Sequence, residues 1–173
     1  MEKTAKTIGA AVNRMKGNEG KYLTFHLSEE EYGINIMRIR EIIGMMPVTL
    51  IPQAPDFIKG VINLRGKVIP VIDLRLRFDM DETAYTERTC IVVVELEGGS
   101  GRVMMGVIVD SVSEVLNIKS EDMEAAPDFG SVVDTAYIQG MAKMEGGVKI
   151  LLNIDKVLSL EQLSMMETAT EMN

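Results

Sequence analysis

Residues 58–78 recur in degenerate form about eighty positions later, and this internal copy constrains the fold more than any other feature. Ile58-x-Gly60-x-x-x-x-x-Gly66 lines up with Ile138-x-Gly140-x-x-x-x-x-Gly146. After one or two extra residues, Val68-Ile69-Pro70-Val71-Ile72-Asp73 meets Ile150-Leu151-Leu152-Asn153-Ile154-Asp155. A second pair runs in the same order: the stretch from Gly33 to Ile43 matches that from Gly106 to Leu116, with apolar residues, Gly and Glu in step. Solenoid repeats have periods of ~20–50 residues, so a longer period signals a duplicated subdomain. The chain therefore reads as two related halves. They differ at one telling place, where Arg65 is replaced by Glu145.

Within the first copy, two apolar runs flank Arg65-Gly66-Lys67, which predicts a β-hairpin whose tip carries Arg65 and Lys67 into solvent. Pro70 lacks a backbone N–H and suits an edge or bulge position. Upstream, residues 22–27 alternate, with Leu23, Phe25 and Leu27 on one face and Thr24 and His26 facing outward. The turn Ser28-Glu29-Glu30-Glu31 leads to a second strand from Tyr32 to Ile36. Ile36, Ile39, Ile42 and Ile43 fit neither period and predict a twisted or bulged strand. Val48–Ile51 reads as another short strand, residues 55–60 as one helical turn and residues 73–78 as a short helix. Polar residues 79–87 link to the second half. There, residues 89–96 and 103–109 form a hairpin whose second strand continues through Val112, Val115, Leu116 and Ile118. The Gly-rich turn of that hairpin is no phosphate cradle, because a strand rather than a helix N-terminus follows it. Ser159-Leu160-Glu161-Gln162 matches a capping box, so a terminal helix is expected through about Met166.

Charge and residue inventory narrow the chemistry. With 18 Lys+Arg against 26 Asp+Glu, the formal charge of −8 repels phosphate, leaving Arg65, Lys67, Arg75 and Arg77 as the one candidate basic patch for nucleic acid. Cys90 is alone, which excludes an internal disulfide or a cysteine metal site, and its apolar run predicts a buried strand. His26 is the single histidine and has no evident catalytic partner. No Ser-His-acid set, Walker motif or dinucleotide fingerprint is present, so neither a cofactor nor a metal is expected. Of the 14 Met residues, Met45 and Met46 are the first candidates for an adaptable interface, and core filling accounts for most of the others. No run reaches the ~20 apolar residues of a membrane span, and no secretory signal is seen, which points to the cytoplasm. Residues 1–19 read as a flexible tail rather than a basic amphipathic helix.

The stretch Phe57-Ile58-Lys59-Gly60-Val61-Ile62-Asn63-Leu64-Arg65-Gly66, followed by Ile69-Pro70-Val71-Ile72-Asp73-Leu74-Arg75, resembles the signature of CheW-type chemotaxis coupling proteins. Tyr32-Gly33-Ile34, Glu41-Ile42, Gly106-Val107-Ile108-Val109-Asp110 and the stretch from Val148 to Asp155 agree in order and spacing. The same domain closes CheA histidine kinases and opens CheV proteins, but this chain has no room for their additional domains. The resemblance implies a mainly β fold: two SH3-like five-stranded barrels over residues 20–160, intertwined halves of roughly 20–85 and 86–158, then a helix and tail over 159–173. It also implies a non-enzymatic adaptor that joins the CheA regulatory domain to chemoreceptor tips, recruited to the inner face of the membrane without inserting. Other CheW-like domains in array rings are further implied partners, with a monomer expected in isolation. By this resemblance Leu23, Ile36 and Ile39 face the kinase as an exposed apolar patch, and Glu41 and Arg65 couple receptor and kinase. A receptor helix would lie in the groove between barrels. For Arg65 two roles stand side by side: its planar fork directs a bond to a partner, or it braces the hairpin. Two other functions compete with the adaptor. An enzyme would need convergent titratable groups between the halves, and a nucleic-acid binder would need the basic patch.

Overall fold

A computed structural model describes residues 20–98, 101–127 and 135–158. In chain order its strands are β1 (Lys21–Leu27), β2 (Glu30–Asn35), β3 (Ile39–Gly44), β4 (Ile58–Leu64), β5 (Lys67–Asp73), β6 (Cys90–Gly98) and β7 (Gly101–Val109). They continue as β8 (Ser111–Asn117), β9 (Met123–Glu124), β10 (Ile138–Met144) and β11 (Gly147–Leu152). Two single-turn helices, α1 (Leu74–Arg77) and α2 (Ile154–Val157), follow β5 and β11. Asp73 and Asn153 cap them: Asp73 accepts from Arg75 N and Leu76 N, and Asn153 from Lys156 N.

The strands form two sheets, β8-β1-β2-β11-β10-β9 and β3-β6-β7-β5-β4. Strand for strand, the first five of one repeat the order of the other, and each contains one parallel junction, β2 with β11 and β7 with β5. The duplication is thus a structural fact, and the mainly β architecture agrees with the expectation except that β9 adds a sixth strand to one sheet. The halves are exchanged. β1 and β2 leave the first half to join the second half's strands, while β6 pairs with β3 and β7 with β5, which in turn carries β4.

The ladders also correct the repeat alignment. Gly60 faces Val71 as Gly140 faces Leu151, so the later copy stands at a constant offset with no extra residues, and Asp73 corresponds to Asn153 rather than Asp155. Apolar β residues slide past one another in a sequence alignment, whereas the two helix caps do not. Gly33 and Gly106 occupy the parallel junctions, where backbones need close packing. A Cβ on Gly106 would stand 2.7 Å from Ile91 Cγ2, and one on Gly33 would stand 2.8 Å from Leu151 Cδ2.

A shared core lies between the sheets, made by Leu23, Phe25, Leu27 and Ile34 of the six-stranded sheet, Ile39, Ile72, Val92, Val94 and Val107 of the five-stranded sheet, and Ile36 between β2 and β3. Each of these buried apolar side chains contributes roughly 1.5–3 kcal/mol of transfer free energy. Two smaller clusters fill the far faces, Ile62, Leu64, Ile69, Val71, Ile91, Val93 and Ile108 in one sheet and Tyr22, Ile118, Ala142 and Leu151 in the other. Both faces of β6 are therefore buried, which explains its unbroken apolar run. The same covering buries Thr24, contrary to the outward position expected from alternation. Its hydroxyl donates to Glu114 O at 2.9 Å and accepts from Glu114 N at 3.2 Å. An aromatic file, Phe25, Tyr32, Phe78 and Tyr137, crosses between the halves with 6.1 Å between successive centroids. Arg77 lies over Phe57 and Tyr137 and donates to Val157 O at 3.0 Å, tying α1 to α2.

Several local expectations shift. The irregular isoleucines resolve into a 3₁₀ turn, Ile36–Arg38, followed by β3, whose register slips between Ile39 and Glu41. Val48–Ile51 forms one bridge, Thr49 to Val61, because the neighbouring prolines prevent a longer ladder. Residues 55–58 make a single hydrogen-bonded turn and β4 begins at Ile58. β8 is a separate strand that changes sheet at Asp110 rather than continuing β7. Pro70 sits in an interior strand, but opposite Val61 and just before the β7 ladder starts at Val71, so its missing N–H breaks no pairing on that side. The capping box at Ser159 and the tail over 1–19 lie outside the described residues.

Candidate functional site

The β4–β5 hairpin closes through two residues. Leu64 pairs with Lys67, and Arg65 and Gly66 both take positive φ, 52° and 87°, the pattern of a type I′ turn. Asn63 Oδ1 accepts from Gly66 N at 2.8 Å and holds the turn. This left-handed backbone swings the Arg65 side chain toward β3. There both guanidinium nitrogens meet the Glu41 carboxylate, Nη1 donating to Oε2 at 3.3 Å and Nη2 donating to Oε1. Because β3 and β4 are the two edges of the five-stranded sheet, this fork-to-carboxylate pair clasps one edge to the other. The Glu41 hydrogen bond and charge raise the Arg65 pKa above its usual range. Arg65 nevertheless keeps 71% of its side chain exposed, against 28% for Glu41. Its remaining donors face solvent. Val68, opposite Asn63 on the same hairpin, is a large apolar residue 64% exposed.

The equivalent positions in the other sheet are Glu114 and Glu145, two carboxylates that cannot clasp. Ion pairs also mark the α1 and α2 ends, with inverted signs. Arg75 on α1 binds Asp110 through Nε and Nη2 at 2.7 and 2.6 Å, and Asp155 on α2 pairs with Arg38. Arg75 is held above its ordinary pKa, first by the hydrogen bond it donates to Asp110.

Of the residues expected to form a partner surface, Glu41 and Arg65 are brought together across 24 positions of sequence. Leu23, Ile36 and Ile39 are not exposed. Each has no accessible surface and lies in the shared core, because the side chains of Leu23 on β1, Ile36 in the 3₁₀ turn and Ile39 on β3 pack into the cluster shared by the two sheets. The exposed apolar side chains are instead Met37, Leu50, Val68, Tyr85 and Val148 among the described residues. Met37 follows Ile36 directly in the chain. Val68 and Val148 occupy matched places on the two hairpins, a signal that the repeat held but that burial patterning alone did not single out.

The basic cluster also dissolves. Arg65 is clasped to Glu41, Arg75 to Asp110, and Arg77 is packed on two rings, so three of the four cations are engaged within the chain. Cys90 is buried, and burial pushes its thiol above the ordinary value. His26 Nε2 stands 3.2 Å from Glu31, which also pairs with Lys149. Burial lowers the Lys149 pKa. Met45 and Met46 are partly buried against the far-face cluster of their sheet. Among the described residues no group of three or more His, Cys, Asp or Glu is placed to hold a metal ion, and no helix is long and apolar enough to cross a membrane.

Residues 21–162 match the family model of the CheW-like domain. The chain belongs to the CheW-like family. It is 37% identical over 164 residues to the chemotaxis protein CheW of Klebsiella aerogenes, covering 94% of this chain and 96% of that protein. Against chemotaxis protein CheW of Rhizobium meliloti it is 32% identical over 152 residues, covering 88% and 96%. Among solved structures it resembles the scaffolding protein TtCheW of Thermoanaerobacter tengcongensis, with TM-score 0.72 and 35% identity over 83% of this chain and 94% of that one. The two-sheet CheW-like fold and the family membership agree, and both bear out the resemblance read from residues 57–75.

Proposed function

We propose that this CheW-like chain is a non-enzymatic chemotaxis scaffold that joins the regulatory domain of a CheA-type kinase to the cytoplasmic tips of chemoreceptors. It acts in the cytoplasm, is drawn to the inner membrane face by those receptors, and is a monomer when free. The observation that carries this reading is the Glu41–Arg65 clasp: a charged pair that fixes a hairpin against the opposite sheet edge yet leaves most of the arginine in solvent. An exposed ion pair adds little stability, so its directional, pre-oriented donors suit recognition. Val68 supplies an apolar neighbour for the same partner. The kinase-facing surface then belongs to side chains around the buried Leu23, Ile36 and Ile39 framework, with Met37 outermost, while those three residues hold its shape.

The test is calorimetric titration against a kinase regulatory domain and a receptor signalling fragment, separately and together. Binding to both without mutual exclusion is expected. Arg65→Ala weakens at least one contact while leaving the melting transition within a few degrees. The exchanged pair Glu41→Arg with Arg65→Glu separates the two roles of Arg65. If the arginine contacts a partner, the exchange rebuilds the clasp without restoring affinity. Full recovery would assign the pair to bracing alone, and binding to neither partner would refute the scaffold reading.

A further inference from the structure

Beside α1 the fold carries its own example of how a non-helical segment docks on it. Residues 80–86 have neither helix nor strand and lie against the start of α1. Met80 N donates to Arg75 O at 2.8 Å and Arg75 Nη1 donates to Asp81 O at 3.2 Å, so the segment is held partly through its main chain. Tyr85 OH donates to Asp73 Oδ2 at 2.8 Å, and Lys59 Nζ donates to Glu82 Oε1 at 3.0 Å. With Asp79, Asp81, Glu82 and Glu87 the segment is acidic, and Lys59 and Arg75 make its seat basic. At the repeat offset fixed by Gly60 and Gly140, the seat residues Lys59, Asp73 and Arg75 correspond to Gln139, Asn153 and Asp155. All three line an open groove of about 1030 Å³, whose apolar lining includes Ile118, Met123 and Leu152.

We propose that this groove binds an uncharged, non-helical segment of a partner chain, recognised through its main chain as residues 80 and 81 are on the other half. The polar lining is built of amides with free groups of both kinds. Asn35 Oδ1 already accepts from Met37 N at 2.9 Å and Asn153 Oδ1 from Lys156 N at 3.3 Å, which leaves their Nδ2 groups to donate. Gln139 Nε2 donates to Tyr22 OH at 3.1 Å, which leaves Oε1 to accept. Asn117 makes no side-chain hydrogen bond among the described residues and offers both. A peptide unit carries the same donor and acceptor as an amide side chain, so this lining matches main chain. A helix satisfies those groups internally and has none to offer along its length. Charge selects the segment further. The cation Lys59 is replaced by Gln139, and Asp155 is paired with Arg38, so Lys119 is left as the single unpaired charge of the lining among the described residues. The basic character that suits an acidic segment on the other half is therefore largely gone. None of these residues belongs to the Glu41–Arg65 clasp.

The probe is a synthetic peptide of residues 79–87 with its acids made amides, Asp79→Asn, Asp81→Asn, Glu82→Gln and Glu87→Gln, titrated into the full chain. Saturable shifts are expected in the side-chain amide NMR signals of Asn35, Asn117, Gln139 and Asn153, while Asn63 on the other sheet stays in place. The unaltered acidic peptide should shift the same signals less at equal concentration. Asn117→Ala, at an exposed position, should weaken binding of the neutral peptide about fivefold, the worth of one net hydrogen bond, and leave the melting transition unchanged. Unmoved groove amides, equal shifts at Asn63, or equal binding of the acidic peptide would each overturn the proposal. Two outcomes would hand the groove to another occupant and overturn it as well. One is displacement of the peptide from these amides by a helical receptor fragment. The other is the same shifts on concentrating the chain alone, which would seat a second copy there.

Discussion

Gly60→Ala should be among the most damaging single-atom additions available in this chain, and its counterpart Gly140→Ala should be mild. Gly60 has φ +144°, and a Cβ there would stand 1.9 Å from Thr49 O, a backbone atom. That oxygen accepts from Val61 N at 2.9 Å, and Thr49 N donates back to Val61 O at 2.8 Å, so relieving the clash means giving up both bonds. Two net backbone hydrogen bonds at about 1 kcal/mol each, together with about 1–2 kcal/mol for a side chain in that φ region, give roughly 3–4 kcal/mol. For a chain of this length each kcal/mol moves Tm by about 2–4 °C, so the transition falls by roughly 6–16 °C. Gly140 has no positive φ, and its nearest atoms, Glu124 O and Met123 Cγ, are each 3.2 Å from the ideal Cβ. Since β9 is only two residues long and yields readily, the cost is about 1 kcal/mol or less. Thermal and urea melts followed by circular dichroism read both. Equal losses in the two variants would refute the claim that the first half carries the tighter crossing.

Three other outcomes follow from burial and linkage. Burial and the Asp73 hydrogen bond raise the Tyr85 pKa above 10.0, so the native state keeps a proton that the unfolded chain releases. Stability is therefore whole below about pH 10 and declines above it, and Tyr85→Phe should flatten that decline in urea midpoints taken between pH 8 and 11, leaving the smaller share of Tyr32, whose pKa burial also raises. Ile36→Ala should cost about 2–5 kcal/mol, and any loss of kinase binding should track the unfolded fraction at each temperature; a binding defect in fully folded protein would mean the side chain reaches a partner. The buried, pKa-raised Cys90 thiol should react with a thiol reagent only at the rate of opening, so immediate labelling of native protein would contradict its position.

The repeat was legible because most of its glycines are required by geometry: Gly60, Gly66 and Gly146 take positive φ at a crossing and two turns, where other residues are strained, and Gly140 keeps the place of Gly60 in the ladder. Strand existence was legible for the same reason that strand partners were not. Alternation reports that a strand has two faces, but says nothing of which neighbour covers the second one. Thr24 and the Leu23, Ile36 and Ile39 set were misplaced on this account, since the exchange of β1 and β2 into the other half's sheet puts their surroundings in distant sequence. Glu41 and Arg65 were picked out by motif, yet their contact depends on sheet closure and on the left-handed backbone at Arg65 itself.

What duplication conserves and what it releases follows from the same exchange. Each sheet needs its own parallel junction, so Gly33 and Gly106 are retained in both copies; the shared core needs apolar side chains from both, so the alternating faces are retained too. Charges at the hairpin tips and helix ends meet no such demand. They have diverged to opposite signs: Arg65 against Glu145 at the tips, Arg75 with Asp110 against Asp155 with Arg38 at the helices. A fold that is nearly symmetric in its backbone thereby presents two chemically different ends. If the chain joins two unlike partners as proposed, that asymmetry gives each its own end, whereas two identical ends would bind the same partner twice.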